Sequence, residues 1–160
     1  MTQPDYERLS RQLEALLDQR DWLVNAAQTC AFIMQQIPQL NWVGFYLQRQ
    51  PELLTLGPFQ GKPACNPIPF HKGVCGAAAR SRQTQRIGDV HAIAEHIACD
   101  AESNAELVVP VMRGESLWGV LDLDSPQRER FTTQDQAGIE GLVSVFTAAS
   151  ELPDFLNQDR

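Results

Sequence analysis

The chain is short of cysteine, of positive charge and of long apolar runs, and each shortage removes a class of function. Four cysteines in 160 residues are too few for the disulfide scaffold of a secreted domain, and disulfides in a reducing compartment tend to be transient and catalytic. Lys and Arg number 13 against 20 Asp and Glu, for a net charge of −7. An acidic surface releases no counterions from a phosphate backbone and is repelled by anionic lipid, so neither nucleic acid nor a membrane is expected as a partner. No apolar run approaches the length that spans a bilayer, and the start MTQPDYERLSRQ lacks a basic region followed by an apolar one. A cytoplasmic protein is the expectation. No repeat, linker or low-complexity tract interrupts the chain. Its 43% apolar and 21% charged content is that of a globular protein long enough to bury a sizeable core, and one domain over residues 1–160 is expected.

Spacing of apolar residues places the elements. Leu9, Leu13, Leu16 and Leu17 fall on one helical face between Tyr6 and Leu17, and Asp21 can cap a second helix running to about Gln35. Cys30 lies inside that helix among Ala27, Ala31, Phe32, Ile33 and Met34, where it reads as a small buried hydrophobe. Pro38 ends the helix, and Asn41 to Leu47 reads as a strand with Trp42, Gly44 and Tyr46 on one face. Two aromatics either side of a glycine leave a gap between rings that suits a pocket wall, with plain packing as the alternative. Leu53 to Phe59 pairs with this strand through a turn at Gln48 to Glu52. The run Pro67, Pro69, His71 reads as irregular, Val74 to Arg82 as a short helix and Gln85 to Ile87 as a brief strand.

From Gly88 to Asn104 no period is sustained, and a loop of that length in a compact domain is usually functional. Glu106 to Met112 and Ser116 to Asp124 form a hairpin turning at Arg113-Gly114. In its second strand Leu117, Gly119, Leu121 and Leu123 share one face, leaving Trp118, Val120, Asp122 and Asp124 on the other. Thr132 to Leu152 closes the chain as a helix with Thr133 as cap and Ile139, Leu142, Val143 and Phe146 as its buried stripe. Helices at both ends and strands between them predict an α+β fold, an antiparallel sheet with the terminal helices packed on one face.

Chemistry-bearing residues concentrate between Gly61 and Glu106, which holds three of the four cysteines and all three histidines. Cys65, Cys75 and Cys99 lie 10 and 24 residues apart in segments rich in Gly, Pro, Asn and Asp, where loops can bring distant thiols together. The paired strands bring Glu106, Asp122 and Asp124 to the side of the sheet bearing Trp42 and Tyr46. Clustered carboxylates repel one another, so in a partly buried site at least one keeps its proton at neutral pH and can act as a general acid. Solvated charges at strand ends are the plainer alternative. His91, His96 and Cys99 are spaced loosely like zinc ligands. Cys65 and Cys75 do not form a close pair, however, and no metal is expected. His71 and His91 read as loop anchors.

In order along the chain, the blocks NWVGFYL, GKPAC, KGVCG, DVH, HIACDAES, ELVVP and GVLDLDSP resemble the free methionine-(R)-sulfoxide reductases, single-domain enzymes of the GAF fold. The resemblance runs from roughly Asn41 to Phe131. It implies thiol-dependent reduction of free L-methionine-(R)-sulfoxide, with Cys99 as the attacking thiol, Cys65 as the resolving one and Cys75 as an auxiliary. It also assigns Glu106, Asp122 and Asp124 to the sulfoxide and ammonium of the substrate, Trp42 to its methyl group, and backbone N–H groups at Ile97-Ala98 to its carboxylate. Such a reaction needs an acid for the S–O oxygen, and it passes through a sulfenic acid and an intramolecular disulfide. Thioredoxin, fed by NADPH through thioredoxin reductase, is the implied electron source, with no bound cofactor and with a homodimer left open. The chain has Ala94-Glu95 where the family shows Pro-Gly, and Ala105 where it shows Ser, which bears on the stiffness of the loop carrying Cys99. The rival reading within the fold is a GAF small-molecule sensor without catalysis, although no output domain accompanies it in this sequence.

Overall fold

The computed structural model describes residues 3–93 and 102–157. Two helices open the chain. In α1 (Tyr6–Leu16) the Asp5 carboxylate accepts a hydrogen bond from Arg8 N, and in α2 (Trp22–Gln36) Asp21 accepts from Leu23 N and Val24 N. Both caps satisfy amides that a first turn leaves without helical partners. Leu9, Leu13 and Leu17 are buried as expected, but Leu16 is 39% exposed, because α1 stops there and the chain turns Leu17 into the core instead.

Six strands follow: β1 (Trp42–Gln50), β2 (Leu53–Gly61), β3 (Ile68–Pro69), β4 (Gln85–Ile87), β5 (Ala105–Arg113) and β6 (Ser116–Ser125), with α3 (Gly73–Ser81) between β3 and β4. They form one sheet in the order β3-β2-β1-β6-β5-β4, antiparallel throughout. Three local expectations need correcting. The β1 and β2 strands run further than their apolar cores suggest, so their turn is only Pro51-Glu52, with Glu52 in the left-handed region at φ 55°. The segment after Cys65 is not wholly irregular, since Ile68 and Pro69 pair with Leu54 and Leu53 as an edge strand, the position where a proline costs no ladder bond. The β5–β6 turn is Gly114-Glu115, Arg113 pairing with Ser116 and Gly114 taking φ 61°.

A fourth correction concerns Trp118. The β5–β6 register shifts between Val111, opposite Gly119, and Met112, opposite Leu117, leaving Trp118 without a partner in the ladder. This β-bulge reverses the alternation. Trp118 therefore packs on the helix side against Trp22, Phe45, Phe146 and Phe155, with ring centroids 5.5 to 6.3 Å away, while Leu117 joins the opposite face. Strict period-two reasoning assigned both residues to the wrong side.

Helix α4 (Thr133–Ala149) is capped by Thr132 rather than Thr133: the Thr132 side chain accepts from Asp135 N and the Asp135 carboxylate from Thr132 N, a reciprocal capping box. Its buried stripe Ile139, Leu142, Val143 and Phe146 packs with α1 and α2 onto one face of the sheet, against Val43, Phe45, Leu107, Leu121 and Leu123. The other face carries a smaller core built from Trp42, Tyr46, Leu54, Val74, Cys75 and Val108. The sheet thus has apolar residues on both sides, and only one side is covered by the long helices.

Candidate functional site

On that second face a pocket opens above the three central strands. Antiparallel pairing sets Trp42 opposite Asp124 and Gly44 opposite Asp122 across β1 and β6, and Glu106 opposite Asp124 across β5 and β6. Residues two apart on a strand point the same way, so three carboxylates reach one floor. The pocket, about 50 Å³ and room for a few water-sized groups, is lined by Trp42, Tyr46, Cys75, Glu106, Asp122 and Asp124 together with Lys62, Val74 and Ser103. Helix α3, which begins at Gly73, brings Cys75 down onto the acids. Its thiol donates to Glu106 Oε2 at 3.9 Å.

Burial makes this group chemically unusual. Cys75, Glu106 and Asp122 are 4%, 8% and 5% exposed. Loss of hydration, and then the charge of Asp122, push the Glu106 carboxyl well above the ordinary carboxylate range. Asp122 is pushed up likewise by burial and by Asp124, and the Cys75 thiol by burial and by all three acids. These are the two causes expected for like charges gathered out of water. The solvated alternative for the acids is therefore excluded at Glu106 and Asp122. Asp122 lines the pocket, and its Oδ1 is buried without a hydrogen-bond partner among the described residues, so a polar group entering from outside would find it unsatisfied.

The aromatic wall differs from the expectation in one respect. The space over Gly44 is not a gap, because the Trp42 indole lies on it: a Cβ at this position would stand 2.5 Å from Trp42 Cη2 and 2.4 Å from Phe59 Cβ. Trp42 stacks on Phe59 at 5.4 Å and on Tyr46 at 5.8 Å. The polar ends of the two pocket aromatics both bond the chain leading to Cys65. Trp42 Nε1 donates to Lys62 O at 3.0 Å and Tyr46 OH to Cys65 O at 2.9 Å.

Cys65 is disulfide-bonded, while Cys30 and Cys75 are free thiols. Cys99, Ile97 and Ala98, to which the attacking thiol and the carboxylate contacts were assigned, lie outside the described residues, as do Ala94, Glu95 and His96. Cys30 is fully buried in the helix-side core, donates to Pro58 O at 3.3 Å and is pushed up to about 12 by burial. It is the inert small hydrophobe its helix neighbours suggested. His91 accepts its place from neighbours: its backbone N–H donates to Asp89 and its Nε2 lies 3.0 Å from Asn104 Oδ1.

Two polar side chains of the pocket carried no assignment from the sequence. Lys62 stands at the rim with its Nζ 3.5 Å from Glu102 Oε2. Ser103, 5% exposed, accepts from Asn41 Nδ2 at 3.1 Å. Both sit inside blocks that carried the resemblance, GKPAC and HIACDAES, and that was the signal available for them.

Such a pocket can hold an ammonium against carboxylates, an apolar group against Trp42, and a proton ready for a basic oxygen. Comparison with known proteins agrees in kind. The GAF domain profile matches residues 23–149. The chain is 46% identical over 134 residues to Bacillus subtilis protein YtsP, covering 82% of each. To the free methionine-R-sulfoxide reductase of Escherichia coli it is 45% identical over 140 residues, 87% of this chain and 84% of the other. The free methionine-R-sulfoxide reductase of Neisseria meningitidis, solved in complex with its substrate, superposes with a TM-score of 0.86 at 38% identity, over 90% of this chain and 87% of that one. The chain belongs to the GAF domain family and, within it, to the free methionine-R-sulfoxide reductases.

Proposed function

We propose that this protein reduces free L-methionine-(R)-sulfoxide to L-methionine, with Cys99 as nucleophile and Cys65 as its resolving partner. The observation that carries the reading is the grouping of three carboxylates against an aromatic wall, with the Glu106 and Asp122 carboxyls pushed toward their protonated forms. In the first step the sulfoxide oxygen accepts a proton from this group as the Cys99 sulfur takes the oxygen, giving methionine and a cysteine sulfenic acid. The Cys65 thiol then attacks that sulfur, a disulfide forms and water leaves. An external dithiol of the thioredoxin type, reduced by NADPH through thioredoxin reductase, returns both thiols. Trp42 packs on the substrate's methyl group, Asp122 and Asp124 receive its ammonium, Tyr46 closes the wall, and the Ile97-Ala98 amides take its carboxylate. Cys75 is an auxiliary thiol.

The test is NADPH oxidation coupled through thioredoxin, with the R epimer, the S epimer and the N-acetylated R epimer as substrates. Turnover should be confined to the free R epimer, because an amide in place of the ammonium leaves buried carboxylates without a charged donor, a loss of about 2–4 kcal/mol. Mass mapping after substrate without reductant should find Cys65 joined to Cys99. Comparable rates on free and N-acetylated substrate overturn the specificity, and binding without any turnover leaves a sensor.

A further inference from the structure

Among the described residues, one group of metal-ligating side chains converges: Cys75 Sγ and one carboxylate oxygen each from Glu106 and Asp122 all lie within 4.8 Å of one another. A tetrahedral zinc ion holds thiolate sulfur at about 2.3 Å and carboxylate oxygen at about 2.0–2.2 Å, which places its donors roughly 3.4–3.7 Å apart. The longest separation in the group thus needs to shorten by about 1 Å, within reach of carboxylate rotation. The three donors come from α3, β5 and β6, so the packed fold holds them in place. A second observation points to an occupant. Asp122, 5% exposed, keeps Oδ1 without a hydrogen-bond partner among the described residues while lining the pocket.

We propose that Cys75, Glu106 and Asp122 form a binding site for a thiophilic divalent cation of the zinc(II) type, and that the occupied site excludes the sulfoxide substrate. The sulfur donor favours zinc or cadmium over magnesium or calcium, which prefer oxygen alone. On binding, the thiol proton and the protons held by the Glu106 and Asp122 carboxyls leave to solvent as the sulfur–metal and oxygen–metal bonds form, and nothing is oxidised or reduced. The cation is not a cofactor. It occupies the ground where the substrate's ammonium and the acid's proton would otherwise be, so it acts as an inhibitor that reads metal supply. Cation binding stands independently of the proposed reductase activity, whereas exclusion of substrate rests on it.

Cadmium titration of a Cys65→Ser, Cys99→Ser double variant tests the site, because Cys30 and Cys75 are then the remaining thiols. A thiolate-to-cadmium charge-transfer band should appear with one ion per chain. Adding Cys75→Ser should abolish the band, and adding Asp122→Asn or Glu106→Gln should weaken binding at least about tenfold, thermal melts verifying that each variant is folded. Magnesium in excess should leave the band unchanged. No band in the double variant, or a band that survives Cys75→Ser, overturns the site. In wild-type enzyme zinc should raise the apparent KM for the sulfoxide and leave kcat intact, with reversal by a chelator. A fall in kcat at constant KM overturns the exclusion. Absence of activity on every sulfoxide would remove the reductase reading while the cadmium band still decides the site.

Discussion

Glu106 and Asp122 sit on adjacent strands, out of water and within each other's field, and their raised pKa values set activity and stability against each other. A carboxyl whose folded pKa lies above its unfolded value, about 4, binds protons more tightly in the native state. Its contribution is fully present below that unfolded value and is lost as pH climbs from there through the folded one. Glu106→Gln removes the titration but keeps shape and hydrogen bonding. The variant should melt at a higher temperature than wild type at pH 8 and show a smaller difference at pH 4. Its turnover rate should fall roughly 10²-fold, the usual cost of losing a general acid. Equal melting shifts at both pH values, or an unchanged rate, would show that Glu106 holds no functional proton.

Gly44 carries a second argument at this scale. Its missing side chain is what lets the Trp42 indole lie flat between Phe59 and Tyr46. A methyl there meets carbon atoms on two sides, and overpacking of that kind costs about 1–3 kcal/mol. Gly44→Ala should also tilt the indole, so KM for the substrate should rise more than kcat falls. Steady-state kinetics beside a urea melt separate the two effects.

At the scale of elements, the start of α4 is heavily wired. The Asp135 carboxylate accepts from Tyr6 OH at 2.6 Å, Gln3 Nε2 at 3.0 Å, Arg130 Nη1 at 3.0 Å and Thr132 N at 2.9 Å, tying α4 to α1 and to the loop after β6. Burial opposes its charge, but the bonds from Thr132, Tyr6 and Gln3 and the Arg130 guanidinium outweigh that, and the carboxyl is held below its usual range. The sign is opposite to that of Glu106: this stability is present above the unfolded value near 4 and is lost as pH falls through the folded one. Asp135→Ala leaves Arg130, 7% exposed, buried without its partner. A loss of about 3–5 kcal/mol is expected, measured by denaturant unfolding at pH 7, with activity per folded molecule unchanged. A loss below about 1 kcal/mol would place the pair among ordinary surface bridges.

The same region shows what sequence could and could not carry. Helical stripes were legible because Leu9, Leu13, Ile139, Leu142 and Phe146 recur at the helical period, which is a local property. Asp122 and Asp124 were legible as a same-side pair because nothing interrupts β6 between them. Trp118 was not, because a bulge is a property of two strands and the residue opposite it is far away in sequence. Thr132 and Thr133 are both adequate caps by residue type, and only the reciprocal bonds with Asp135 distinguish them. The grouping of Cys75 with Glu106 was likewise hidden, since it depends on how α3 lies across β5.

For the molecule as a whole, the sheet divides labour between its faces. The helix side, where α1, α2 and α4 and the Trp118 cluster pack on the sheet, supplies most of the burial. The other side spends that stability on two carboxylates and a thiol held out of water, with Asp124 half-buried beside them. No described helix is long and apolar enough to cross a membrane. The strand order has one more consequence, visible in time rather than in space. Strand β6 lies between β1 and β5, flanked in turn by β2 and β4, so the amides around Asp122 and Asp124 can meet deuterium only when the sheet itself opens. Cys65 sits in coil between β2 and β3, where opening requires far less. Native-state hydrogen exchange should find the acids on the slowest clock of the protein, near the free energy of global unfolding, and the Cys65 segment on a much faster one. The proposed proton source would then be as permanent as the fold, while the segment holding the proposed resolving cysteine, disulfide-bonded in this structure, opens on a faster clock of its own.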